Sequence, residues 1–166
     1  MSVAETGEAG TPVDNILEVN NLRMYFPITE GIMIQRKVAD VKAVDGISFT
    51  MHRGETLGLV GESGCGKTTT GRCILQLEKQ TAGDIVFNGR NVSDLSRQDM
   101  LQFRQKVQVI FQDPYSSLNP RMKIGEIISE PMRVHGIITD KEQRNRRVAE
   151  LLSLCGLSPQ FSDRYP

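Results

Sequence analysis

The sequence predicts an α/β domain of the phosphate-loop nucleotide-binding class, and three observations predict it. Gly61-Glu62-Ser63-Gly64-Cys65-Gly66-Lys67-Thr68 fits the pattern G-x-x-x-x-G-K-[ST] at every fixed position. An apolar run, Leu57-Gly58-Leu59-Val60, precedes it as a candidate buried strand, and a helix-forming stretch from Thr68 to Gln76 follows. Strand-like segments fill the chain ahead of the loop and helix-like ones fill the last third.

The chemistry follows from the spacing. Glycines at 61, 64 and 66 allow the backbone to curl so that several N–H groups converge, and a following helix adds the partial positive charge of its N-terminus. Lys67 is placed to reach the β- and γ-phosphates of a nucleotide, and the Thr68 hydroxyl to ligate Mg²⁺. Gly61, Glu62, Ser63, Gly64, Cys65, Gly66, Lys67, Thr68 and the adjoining Thr69 are therefore the candidate binding segment. Cys65 lies in the loop beside Lys67, a setting in which alkylation is expected to block the site and bound nucleotide to protect it.

Composition narrows the class further. The 166 residues carry 20 basic and 20 acidic side chains, a balance that points away from nucleic-acid or anionic-lipid surfaces. No apolar run approaches the roughly 20 residues of a membrane helix. Cys65, Cys73 and Cys155 show no metal-ligand spacing and suit a reducing compartment, so a cytosolic protein is expected. Residues 1–15 are polar and acidic and read as a disordered lead.

Taken in order, Ile16 to Leu22 reads as a strand continuing towards Tyr25 and Phe26 until Pro27 interrupts it, with a loop from 28 to 40. Val41 to Met51 reads as a second strand with Ala43, Ile47, Phe49 and Met51 on one side and a break at Gly46 suited to a bulge. Arg53-Gly54 is a turn into the Leu57–Val60 strand. Gly83 to Gly89 is a short strand closed by Asn88-Gly89. Ser96 and Asp99 make a capping box for a helix ending near Gln105, and Val107 to Phe111 is a β-prone run expected as a buried strand. Ile124, Ile127, Ile128 and Met132 share a helical face, with Pro131 bending or ending that helix. Thr139 and Glu142 form a second capping box, ahead of a Val148, Leu151, Leu152, Cys155 stripe stopped by Gly156 and Pro159.

Several of these segments together resemble the ATPases of ATP-binding-cassette (ABC) transporters, over residues 16 to 166. Val41-Lys-Ala-Val-Asp-Gly-Ile-Ser-Phe49 and Arg53 through Thr69 resemble the opening of such subunits, and Val109-Ile-Phe-Gln-Asp-Pro-Tyr-Ser-Ser-Leu-Asn-Pro-Arg-Met122 resembles the Q-loop segment of the oligopeptide/dipeptide importer branch, in its second-ATPase type. The resemblance implies the N-terminal part of the ABC ATPase fold. Residues 16–120 would be an antiparallel β-subdomain with a partial RecA-like core, and 121–166 the start of an α-helical subdomain. It implies ATP and Mg²⁺ as cofactors, with Gln112 as the Q-loop glutamine contacting Mg²⁺. It also implies Phe26, with Tyr25 as the alternative, as the aromatic that stacks on adenine. The implied partners are transmembrane permease subunits, a paired ATPase in a homo- or heterodimer and, indirectly, a substrate-binding protein. The implied location is peripheral, on the cytoplasmic face of the plasma (inner) membrane.

The chain departs from the family pattern at its end. Asp163-Arg-Tyr-Pro166 stands where family members continue into the signature motif. The catalytic glutamate and the switch histidine have no counterpart here: His52 and His135 match neither, and no catalytic base is present. The expectation is an N-terminal fragment of a longer ATPase that energises peptide uptake, with its phosphate-loop strand left open-edged. The alternative is a short nucleotide-binding regulator or decoy without ATP turnover. A GTPase is disfavoured because no Asn-Lys-x-Asp guanine reader occurs.

Overall fold

The computed structural model describes residues 14–30, 36–113 and 117–166. They fall into two compact units, Met1–Gln102 and Phe103–Pro166. The expected lead lies outside the described residues up to position 13, and β1 opens at Asn15.

The first unit rests on a four-stranded antiparallel sheet in the order β2-β1-β3-β4. β1 (Asn15–Glu30) and β2 (Arg36–His52) form a long hairpin. β3 (Ala82–Phe87) pairs with the other edge of β1, and β4 (Arg90–Asn91) returns after Asn88-Gly89. Both turn residues have positive φ, 47° and 74°, the conformation that Asn-Gly adopts at least cost. The hairpin is longer than the sequence predicts. Pro27 does not interrupt β1 but pairs opposite Asp40, and much of the segment expected as a loop from 28 to 40 belongs to β1 and β2. The pairing of β1 with β3 ends at Arg23–Ala82, so beyond it one edge of β1 is unpaired and a residue lacking an N–H is tolerated there.

Gly46 is a bulge, as its position suggests. Leu22 pairs with Ile47 and Arg23 with Asp45, which leaves Gly46 unmatched at φ +84°. The bulge changes the phase of alternation. Ile47, Phe49 and Met51 keep their half-buried side, but upstream the buried residue is Val44 rather than Ala43. Among the described residues Val19, Leu22, Ile85, Val92 and Cys73 are the largest fully enclosed side chains, each aliphatic one contributing about 1.5–3 kcal/mol. α1 (Lys67–Ile74) contacts β1 and β2, and its buried residues are Thr70 and Cys73. Burial raises the Cys73 thiol pKa, with a smaller contribution from Glu78. Gln76, at φ +53°, lies beyond the helix that was expected to include it.

Two predicted buried strands are absent. Leu57–Val60 and Val107–Phe111 have no strand pairing, and Val60 and Ile110 are each 96% exposed. A β-prone run becomes a strand only when a neighbour completes its ladder, and no described strand pairs with either run.

α2 (Arg97–Lys106) starts at the predicted box: the Asp99 N–H donates to Ser96 Oγ at 3.2 Å, and that hydroxyl donates to Asp99 Oδ2 at 2.7 Å. Arg90 joins β4 to this helix start with two bonds to the Asp99 carboxylate, each 3.0 Å. The hydrogen bonds from Arg90 and then Ser96 lower the Asp99 pKa from 3.8 to about 2. Because the folded value lies below the unfolded one, this carboxylate stabilises the fold fully above its ordinary pKa, and the contribution is lost as pH falls through about 2. Asp99→Asn should therefore melt below the wild type at neutral pH, and acidification to about pH 2 should narrow that gap. A gap constant across an acid titration of melting temperature would refute the assignment.

The second unit comprises α3 (Ile124–Val134), α4 (Lys141–Leu154) and a 3₁₀ turn at Pro159–Asp163 that contacts both helices. Pro131 lies inside α3, which continues to Val134. The α4 cap is Asp140, which accepts from the Gln143 N–H at 2.8 Å, and not Thr139; a carboxylate there also meets the helix dipole favourably. Met132, Val148 and Leu152 are buried with Phe103, whereas Cys155, expected on the apolar stripe, is the exposed C-cap. The chain's last residues fold over the start of α3. The Ile124 N–H donates to the Arg164 carbonyl at 2.8 Å, and a Cβ on Gly125 would stand 3.0 Å from the Ser162 carbonyl oxygen. Among the described residues, no helix is long and apolar enough to cross a membrane.

Candidate nucleotide-binding site

The phosphate loop hangs between β2 and α1, and contacts with β2 set its shape. After β2, the Glu55 N–H closes on the His52 carbonyl at 3.1 Å, with Gly54 at φ +80° making the turn. At the loop's far end Gly66 has φ +97° and touches the sheet: a Cβ there would lie 2.3 Å from the Ala43 carbonyl oxygen and 3.3 Å from Val44 Cγ2. Gly64 also needs positive φ, +82°, but its missing Cβ faces open space. A Cβ on Gly61 would stand 2.6 Å from Cys65 Sγ, so the loop folds tightly on itself there. The Cys65 N–H donates to the Glu62 carbonyl at 3.3 Å.

Lys67, first residue of α1, reaches back into this curl. Its Nζ donates to the Gly61 and Glu62 carbonyls at 2.7 Å each and lies 3.5 Å from Cys65 Sγ. A cationic head is thus held in the concavity beside the helix N-terminus, whose first-turn N–H groups have no intrahelical acceptor. Cys65 and Thr68 are exposed and Thr69 half-buried, as are Gly66 and Lys67. Glu62 and Ser63 lie on the exposed outer arc.

Strand register separates Phe26 from Tyr25. Met24 pairs with Val44 and both are buried; Phe26 pairs with Val41 and continues the same face of the hairpin. That is the face Gly66 meets at Val44, so Phe26 and the loop share it. Phe26 is 38% and Val41 52% exposed, an apolar platform open to solvent. Tyr25 points to the opposite face. Its hydroxyl donates to Asp45 Oδ1, Lys42 Nζ stands 5.3 Å from its ring centroid, and its backbone N–H donates to Thr81 Oγ1 at 2.9 Å. Sequence reasoning singled out neither Asp45 nor Thr81; the Asp-Gly step at the bulge was the available signal.

Gln112 belongs to the second unit, exposed at a bend and lining an open cleft with Phe111, Asp113 and Ser117. His52 shares a hydrogen bond with Asn15 Oδ1 at 2.8 Å, and His135 caps the end of α3. Among the described residues, no cluster of His, Cys, Asp and Glu suited to a metal ion occurs.

A profile of the family described as ABC transporter matches residues 44–165. The oligopeptide transport ATP-binding protein AppF of Bacillus subtilis (strain 168) is 51% identical over 92% of this chain and 46% of its own length. The oligopeptide transport ATP-binding protein OppF of the same organism is 47% identical over 92% of this chain and 48% of its own length. The glutathione import ATP-binding protein GsiA of Escherichia coli (strain K12) is 47% identical over 96% of this chain and 26% of its own length. This chain thus spans about half the length of the first two relatives. Among solved structures, a dimeric post-hydrolysis state of the ATP-binding cassette MJ0796 bound to ADP and Pi superposes with a TM-score of 0.72 at 22% identity, covering 90% of this chain and 61% of that one. CbiO1 from Clostridium perfringens superposes with a TM-score of 0.61 over 92% of this chain and 54% of its own. At these identities the likeness is one of fold.

Proposed function

This chain belongs to the ABC transporter family, and from that premise we propose that it is the ATP-binding part of an importer subunit that energises peptide uptake. The observation that carries the reading is Lys67, whose Nζ is held inside the loop at the N-terminus of α1 by the Gly61 and Glu62 carbonyls. An ammonium beside the N-terminus of a helix suits an anion of high charge, and a triphosphate supplies it. The peptide class rests on the oligopeptide and glutathione import proteins that share about half of this chain's residues.

In this reading the residues from Gly61 to Thr69 enclose the phosphates, and exchange of Lys67's carbonyl partners for phosphate oxygens brings its charge onto them. The loop fits the group, because the Cβ position at Gly64 opens on free space. Thr68 would hold Mg²⁺, which would neutralise phosphate charge, while Gln112 lies in the second unit. Phe26 offers its face to the base, while Tyr25's ring and hydroxyl are already engaged. Residues 16–120 act as β-subdomain and core, and 121–166 as the beginning of the helical subdomain. The partners are permease subunits and a second ATPase at the cytoplasmic membrane face.

Transport by cells tests this. Chromosomal replacement of Lys67 by Ala should abolish uptake of a labelled oligopeptide and leave uptake of free amino acids intact. Undiminished peptide uptake would overturn the importer assignment.

A further inference from the structure

We propose that Asp45 is a positioning residue for the base subsite: by holding Tyr25 on the outer face of the hairpin, it keeps Phe26 facing the nucleotide. The proposal rests on the reading of Phe26 as the base platform.

The stretch of β1 that carries Phe26 is the part of the hairpin least constrained by the sheet. β3 stops pairing at Arg23–Ala82, and two irregularities, at Gly46 and between Met24 and Tyr25, break the ladder with β2 on either side of Asp45. A stretch so loosely paired is free to twist, which turns the Phe26 ring off the base without bringing Tyr25 into its place. Interactions concentrated at Tyr25 oppose that motion. Thr81 takes its N–H, Asp45 takes its hydroxyl, and Lys42 lies over its ring while donating to Asp45 Oδ2 at 3.2 Å. Asp45 bonds to both Tyr25 and Lys42 and is the acidic member of the group, so it is the hub. In this arrangement the hydrogen bonds from Tyr25 and then Lys42 lower the Asp45 pKa, and the bond to Asp45 raises that of Tyr25. The side chains of Tyr25, Lys42 and Asp45 lie on the face away from the phosphate loop, so Asp45 acts on nucleotide through the orientation of Phe26.

The test compares affinity for ATP with affinity for inorganic tripolyphosphate, which lacks the base, in the full chain. Phe26→Ala should weaken ATP by roughly 5- to 150-fold, the range of one aromatic–base stack, and leave tripolyphosphate unchanged. Asp45→Ala and Tyr25→Phe should each weaken ATP by about 2- to 10-fold with tripolyphosphate again unchanged. Asp45→Asn, which keeps an acceptor for the hydroxyl, should retain most of the affinity. Added to Phe26→Ala, Asp45→Ala should cost nothing further. Tyr25→Phe removes a single oxygen and keeps the test decisive if Asp45→Ala fails to fold. If Phe26→Ala leaves ATP binding intact, the base platform falls and the proposal with it. If Phe26→Ala weakens ATP but Tyr25→Phe and Asp45→Ala do not, or they weaken both ligands equally, the platform stands and the positioning role is wrong.

Discussion

Lys67→Ala should lower the affinity of this chain for ATP by roughly 10- to 150-fold, the weight of one charge-assisted hydrogen bond. Two losses combine in that figure. The phosphates lose their ammonium, and the loop loses the cross-links from Nζ to the Gly61 and Glu62 carbonyls that gather its first turn. Lys67 is only half-buried, so the fold itself should survive and the melting temperature should move little. Titration calorimetry with ATP and tripolyphosphate reads the result, and both ligands should weaken in parallel because the lysine addresses phosphate and not base. ATP affinity within threefold of wild type would remove Lys67 from the site.

Gly66→Ala should be the most damaging single methyl that can be added to the loop, costing about 2–4 kcal/mol of stability and most of the nucleotide affinity. Two penalties add. An L side chain at φ +97° is strained by about 1–2 kcal/mol. Its Cβ would also lie 2.3 Å from the Ala43 carbonyl oxygen, a backbone atom of β2 that cannot move without shifting the strand. Gly64→Ala is the control, since φ +82° imposes the first penalty while the space around it is open. Urea denaturation should rank wild type above Gly64→Ala above Gly66→Ala. Equal midpoints for the two variants would show that contact with β2 does not set the loop's shape.

The rest of the hairpin and both helical segments show which features were legible in the sequence. Local chemistry was. The loop pattern, the Asn88-Gly89 turn, the Ser96–Asp99 box and the Gly46 bulge each depend on residues within a few positions of one another. Where two local signals competed, the choice went astray: Asp140 caps α4 in preference to Thr139, because a carboxylate also satisfies the helix dipole. Pro27 reads as a breaker, but its effect depends on whether the sheet needs an N–H at that position.

Leu57–Val60 and Val107–Phe111 mark the limit of that reading. Their composition favours strand, yet strand is a relation between segments, and no described strand pairs with them. Sequence by itself determined that this chain carries the phosphate-loop pattern of the ABC family, because that signal is written in eight consecutive residues and the flanking motifs. Only the tertiary structure decided that Phe26 and not Tyr25 shares the loop's face, and that Gly66 is the glycine that touches β2. Both depend on strand register and on the bulges that reset it, and register is settled by pairing across the hairpin rather than along the chain.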